Sequence, residues 1–269
     1  MSMHSSPTTP IRAQQLATAV MAAMTILTLS SCSLAGFAPL PRAESSDSVI
    51  GGVEVVAAGE TLSDIAIEEL YPCHDGDVFA YRVAGGPRSG QVMVSRTFAL
   101  DKAGDFRVTN SYGGTIAEAL HLRIDDTTVA VVSQVDAEQD IGVTFARPMP
   151  LVTVPLRTNV TRFRSPIRIW RPSSGRTMGS GEVLLEMTLN QDQIDGYETA
   201  YAAKQTGTFK LLKQSFDVES TAWLAPGLGE VRGRRVQSGT ETEVFTLVCA
   251  RIDGKDVIDC GGVAHEIAK

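Results

Sequence analysis

Residues 182–189 alternate without a break. Glu182, Leu184, Glu186 and Thr188 fall on one side, and Val183, Leu185, Met187 and Leu189 on the other. A period of two sends successive side chains to opposite faces, so this stretch predicts a strand with one buried and one wet face. Similar texture runs almost throughout from Asp77. DVFAYRV, QVMVSRTFAL, DFRVTNSY, TIAEALHLRI and TTVAVVSQV come first, then IGVTFA, PLVTVPL, VTRFRSPIRIW and GEVLLEMTLN. GYETAYAAK, GTFKLLKQSFDV, STAWLA, GEVRGRRV and a closing hairpin complete the series. Turn residues divide these segments at intervals of roughly 8–14 residues with no helical run between them, which indicates antiparallel pairing. The expected fold class is mostly β, a single antiparallel curved sheet or half-barrel over residues 50–269, with one short N-terminal helix.

That helix is expected after Thr61, in LSDIAIEELY. Thr61 and Asp64 are spaced like a capping box, Leu62, Ile65, Ala66 and Leu70 recur at helical spacing, and Pro72 stops the run. VEVVAAGETLSDIA also resembles the opening of a LysM module, a glycan-binding fold. The chain continues into CHDGDVFAYRV, a strand pattern, where that module needs a second helix. A helix packed on the main domain is the expectation.

The first 31 residues carry one formal charge, Arg12, and from Leu16 read LATAVMAAMTILTL. Such a run is too short to span a bilayer comfortably but suits the core of a signal peptide. Leu29-Ser30-Ser31-Cys32 then resembles the bacterial lipobox. The resemblance implies that residues 1–31 are removed and that Cys32 becomes the N-terminus. Its thiol would carry diacylglycerol, with fatty acyl groups such as palmitate tethering the protein to a membrane. Two or three chains anchor stably where one is marginal. Residues 32–49, rich in Ser, Ala and Pro, read as a flexible tether. The expected location is extracytoplasmic, on the periplasmic face of an outer membrane or on the cell surface. Loss of Arg12 takes the formal charge from −7 to −8, which argues against nucleic acid as a partner.

Three cysteines remain after Cys32: Cys73, Cys249 and Cys260. EVFTLVCARIDGKDVIDC reads as a hairpin. A type II′ turn at Gly254-Lys255 would place Asp253 opposite Asp256 and Cys249 opposite Cys260, within disulfide range. Pairing of Cys73 with either one, or three free thiols, are the alternatives. Pro226-Gly227 suits a type II turn, with Trp223 and Val231 flanking it.

Candidate chemistry is sparse. His74, His121 and His265 are the histidines beyond residue 31, and no G-x-S-x-G, H-E-x-x-H, C-x-x-C or phosphate-binding glycine pattern occurs. Asp125-Asp126 sits in a turn. The expectation is a protein without catalytic activity, metal or cofactor. Against the acidic background, residues 157–176 hold Arg157, Arg162, Arg164, Arg168, Arg171 and Arg176 with no acidic residue. Arg232, Arg234 and Arg235 form a second cluster. Together they would make a strip for lipid phosphates or an acidic partner, or simply a solvated strand face.

LYPCHDGDVFAYRV, TVPLRTNVTRFRS and TAWLAPGLGEVRGR resemble motifs of β-rich bacterial envelope proteins, several of which are similar to the half-barrel of the LolA/LolB lipoprotein carriers. Phe79 and Phe163 stand where those proteins carry tryptophan, and Asn159 where they carry glycine. The resemblance implies a half-barrel whose concave apolar face holds a lipid or other hydrophobic ligand. The alternative is a structural lipoprotein that contacts another envelope component.

Overall fold

Hairpin follows hairpin along the chain until the sheet meets itself. The computed structural model describes residues 52–211, 214–237 and 240–269. The signal peptide read at 1–31, the lipidation site Cys32 and the tether 32–49 lie outside the described residues. The first half of the wall is β3 (Val78–Ala84), β4 (Val92–Ala99), β5 (Asp105–Tyr112), β6 (Thr115–Ile124), β7 (Thr128–Asp136) and β8 (Ile141–Thr153). The second is β10 (Val160–Trp170), β11 (Thr177–Ile194), β12 (Tyr197–Leu211), β13 (Gln214–Ala225), β14 (Gly229–Gln237) and β15 (Thr240–Ile252). Within each half, neighbours in sequence are neighbours in space.

Two long-range pairings join the halves. β15 lies against β3, with Phe245 opposite Val83. β8 lies against β10, from Ile167 opposite Phe145 to Trp170 opposite Gly142. The result is a closed antiparallel barrel of twelve strands, which corrects the expected open curved sheet or half-barrel. The physical reason is the sheet edge. An open sheet leaves N–H and C=O groups unpaired on its two outer strands, and closing the ring pairs them.

Alternation sets what faces inward. In β10, Phe163, Ser165, Ile167 and Ile169 are buried while Arg162, Arg164, Pro166 and Arg168 are exposed. Phe79, Tyr81, Phe209 and Phe245 join Phe163 in one continuous apolar core. Around these side chains the inside is packed. The outer wall carries cross-strand ion pairs, among them Arg164–Glu182 at 2.6 Å and Lys204–Glu219 at 3.2 Å. A barrel that spans a bilayer shows the reverse, an apolar band outside and a polar lumen. No helix among the described residues is long and apolar enough to cross a membrane.

Four short strands lie off the ring: β1 (Val53–Ala57), β2 (Thr61–Ser63), β9 (Leu156–Arg157) and β16 (Lys255–Ile258). The helix expected from Leu62 spans only Ile67–Leu70, with Ala66 as its N-cap. Thr61 and Ser63 pair instead with Arg157 and Leu156 of β9, so strand pairing displaces the capping box. The helix closes one end of the barrel. Ile67, Leu70 and Tyr71 are buried in the core, and Gly227 N–H donates to Glu69 O at 2.6 Å. Gly227 has φ +76° and Leu228 N–H donates to Ala225 O, the geometry expected of a type II turn at Pro226-Gly227.

At the other terminus Cys249 and Cys260 are joined by a disulfide, with Cα atoms 4.7 Å apart. The hairpin before it turns elsewhere than expected. Ile252 faces Lys255, so the turn is Asp253-Gly254, both at positive φ (49° and 72°). That is the Asp-Gly form of a type I′ turn. Asp253 N–H also donates to buried Asp77 at 2.8 Å. A register shift between Ala250 and Arg251 then brings the two sulfurs together. Cys73 is free, and burial pushes its thiol pKa up, with the charge of Asp77 adding to the effect.

Candidate ligand cleft

One edge of β10 serves two partners. Ile167–Trp170 bond to β8, whereas Val160–Phe163 bond to β1, with Val53 opposite Phe163 and Val55 opposite Thr161. β8 therefore parts from β10 beyond Phe145. Its diverging half contains Pro148 and Pro150, which have no N–H to offer a neighbouring strand. A cleft of about 290 Å³ opens beside this fork.

Its lining is mostly apolar: Val53 and Val55 of β1, Leu151 and Val152 of β8, Val154 and Pro155 beyond it, Met187 and Leu189 of β11, and Ala203 of β12. Thr128, Thr153, Asn159, Thr161, Thr188 and Gln205 are its polar residues, and Arg157 and Lys204 its basic ones, with the Lys204 ammonium held by Glu219 on the outer wall; no carboxylate lines it. Asn159 Oδ1 accepts from Gly59 N–H at 2.7 Å, so that side chain is committed to the backbone. Gln205 is 7% exposed and its Oε1 has no hydrogen-bond partner. An apolar hollow with a few polar groups is the usual form of a small-ligand site. Seven strands and the β8–β9 corner build it, so no local motif could have announced it.

Arg162, Arg164 and Arg168 share the exposed face of β10, and carboxylates oppose two of them. Arg162 pairs with Glu186 at 3.5 Å, Arg164 with Glu182, and Arg171 with Asp140 at 3.5 Å. Arg168 is exposed on the outer wall. Arg157 stands apart on β9, exposed at the cleft. The second cluster lies on β14, separated from β10 by β11, β12 and β13. There Arg235 pairs with Glu243 at 3.4 Å, Arg234 reaches Glu219, and Arg232 lies 5.2 Å from the Trp223 ring centre. Trp223 donates its indole N–H to Asp192 at 2.7 Å and is half-buried.

His121 and Asp105 form a buried pair at 3.0 Å in the wall, with Arg123 on the same carboxylate. Burial lowers the His121 pKa. Burial pushes Asp105 up, but the hydrogen bonds from Arg123 and His121 outweigh it and hold it below the usual carboxylate range. Ser133 is the cross-strand neighbour of His121. These are the residue types of a nucleophilic triad, but Ser133 is fully buried and neither its hydroxyl nor His121 Nδ1 has a hydrogen-bond partner. Activation needs a hydrogen bond from serine to histidine. His74 lies 3.1 Å from Asp77 near the surface.

A polar network absent from the sequence reading lies inside the barrel. Glu118 accepts from Asn110 at 2.8 Å and from Gln134 at 2.6 Å, and Ser95 donates to Asn110 at 2.9 Å. Burial pushes the Glu118 pKa up to about 7; Arg235 and the two amides oppose this, and Asp136 adds to it.

No protein-family model matches the sequence, and no curated protein matches it. Among solved structures, one from Bacteroides fragilis described as a "putative exported protein with YMCC-like fold" is 12% identical. It has a TM-score of 0.43, covering 66% of this chain and 96% of that one. A "putative lipoprotein" from Parabacteroides distasonis is 8% identical with a TM-score of 0.33, again over 66% and 96% of the two chains. Likeness at this level fixes neither a family nor a function.

Proposed function

We propose that this chain is a lipid-anchored, extracytoplasmic binding protein without catalytic activity, which takes one small hydrophobic ligand in the cleft beside the β8–β10 fork. The apolar lining of that cleft carries the reading. Placement outside the cytoplasm is supported by the lipobox-like Leu29–Cys32 segment and by the Cys249–Cys260 disulfide, a bond that persists in oxidising compartments. The charged outer wall suits a body held in water at the end of its tether. Two experiments separate place from binding. Cys32→Ala is expected to release the protein from membranes and to abolish incorporation of labelled palmitate; unchanged membrane association would refute the anchor. Met187→Trp, which puts an indole into the cleft, is expected to remove calorimetric binding of 1-dodecanol without lowering Tm by more than a few degrees. Equal binding by both proteins would place the ligand elsewhere.

A second reading is favoured by β1, where Val55 and Val56 are 55% and 42% exposed. An envelope protein could add a strand to that edge. Saturable binding of dodecanol would favour the ligand reading over this one.

A further inference from the structure

The cleft is electrostatically unlike the rest of the molecule. In a chain of formal charge −7, its lining includes no acid. Lys204 is engaged with Glu219, but Arg157 has no ion pair among the described residues. Of the other arginines of that stretch, Arg162, Arg164 and Arg171 each face a carboxylate. Arg168 and Arg176, like Arg157, have no ion pair among the described residues, but of these three Arg157 is the one in the cleft lining. A guanidinium left unpaired beside an apolar hollow offers a planar fork of donors to a carboxylate or phosphate.

Gln205 is an independent indication of a polar group on the ligand. Its carboxamide lies in the lining, more than nine-tenths buried, with an acceptor oxygen that nothing satisfies. Buried polar atoms are nearly always hydrogen-bonded, so a ligand group that reached this oxygen would satisfy it. Carboxamide oxygen and nitrogen are interchangeable by a flip, so Gln205 can accept from a hydroxyl or donate to an acid oxygen. Size narrows the class further. About 290 Å³ sits at the lower end of small-molecule sites, which run from roughly 300 to 1,000 Å³, and so suits one chain rather than two or three.

We propose that the cleft takes a single-chain amphiphile with an acidic headgroup, its chain against Leu151, Val152, Met187 and Leu189 and its carboxylate or phosphate on Arg157. This rests on the ligand-binding reading above and adds the headgroup to it. The test is calorimetric titration of the whole chain carrying Cys32→Ala, so that no acyl group of its own competes. The probes are dodecanoate, dodecyl phosphate and 1-dodecanol, each below the concentration at which it self-associates. At least one acid is expected to bind about fivefold tighter than the alcohol, the scale of one charge-assisted contact at a half-open site. The tighter acid identifies the headgroup as carboxylate or phosphate. Arg157→Gln is expected to bring that acid down to the level of dodecanol and leave dodecanol unchanged, while Arg157→Lys keeps part of the preference. Dodecanol binding as tightly as both acids, or a preference that survives Arg157→Gln, overturns the headgroup assignment but leaves an apolar cleft standing. Failure of all three probes to bind overturns both.

Discussion

Glu118→Gln is expected to raise the stability of the barrel at pH 8 and to flatten its dependence on pH between about 4.5 and 7. Glu118 is buried inside the ring among Asn110, Gln134, Asp136 and the Arg235–Glu243 pair. Burial raises its pKa from 4.5 to about 7. Between those values the folded protein holds a proton that the unfolded chain has released. Stability therefore falls as pH rises from about 4.5 to 7, and the loss is complete above the folded pKa. A shift of this size corresponds to roughly 3 kcal/mol. Glutamine stays neutral throughout and so escapes the cost, although its amide N–H₂ must face donors that the carboxylate accepted from. A net gain of about 1–3 kcal/mol at pH 8 is the expectation, with little change at pH 4.5. Thermal melts of both proteins across that range check it. An equal slope in the two would mean that another group carries the pH dependence.

Gly142→Val is expected to be the most destabilising change at the join between β8 and β10. A side chain at Gly142 would run directly into the indole of Trp170, its cross-strand partner. Trp170 is 3% exposed, packs with Ala119 and Val135, and donates its N–H to Thr144 at 3.1 Å. Expelling the ring forfeits that burial and the hydrogen bond, and strips cover from the four residue pairs that close the barrel. The cost expected is about 3–5 kcal/mol, as for truncation of a buried aromatic. Tryptophan emission should shift to the red as Trp170 meets water. Gly262→Ala is the control, since nothing lies within 4 Å of a methyl group there and its backbone is not at positive φ. An unchanged melt and spectrum for Gly142→Val would show that the indole finds equal packing elsewhere.

Much of the wall was legible because period-two alternation is local. β5, β6 and β10 have the limits read from the sequence. Longer strands were cut short or divided. β8 joins IGVTFA to PLVT across Arg147-Pro148-Met149, and GTFKLLKQSFDV contains the end of β12 and the start of β13. Closure was not legible, since a strand at an open edge and one sealed to a distant partner have the same sequence. The Gly254-Lys255 turn failed because Asp253 adopts the left-handed conformation, held by Asp77 from far away in the chain. Arg162 and Arg164 look unopposed only in one dimension. Their partners Glu182 and Glu186 were visible as the wet face of the next strand, and pairing β10 with β11 neutralises them. Glu118 looks like an ordinary polar residue in TIAEALHLRI, and only the ring places it inside.

The pairing of β15 with β3 has a consequence for how the protein comes into being. Val244 sits opposite Ala84, so the ring is sealed by partners 160 residues apart. Hairpins between neighbours can form as the chain emerges from its ribosome or translocation channel, but the last joint waits for residues beyond 240. Until then two bare strand margins remain open to other nascent chains. A delay there prolongs the interval in which aggregation competes with assembly, and a chain cut before β15 has no means of ending it.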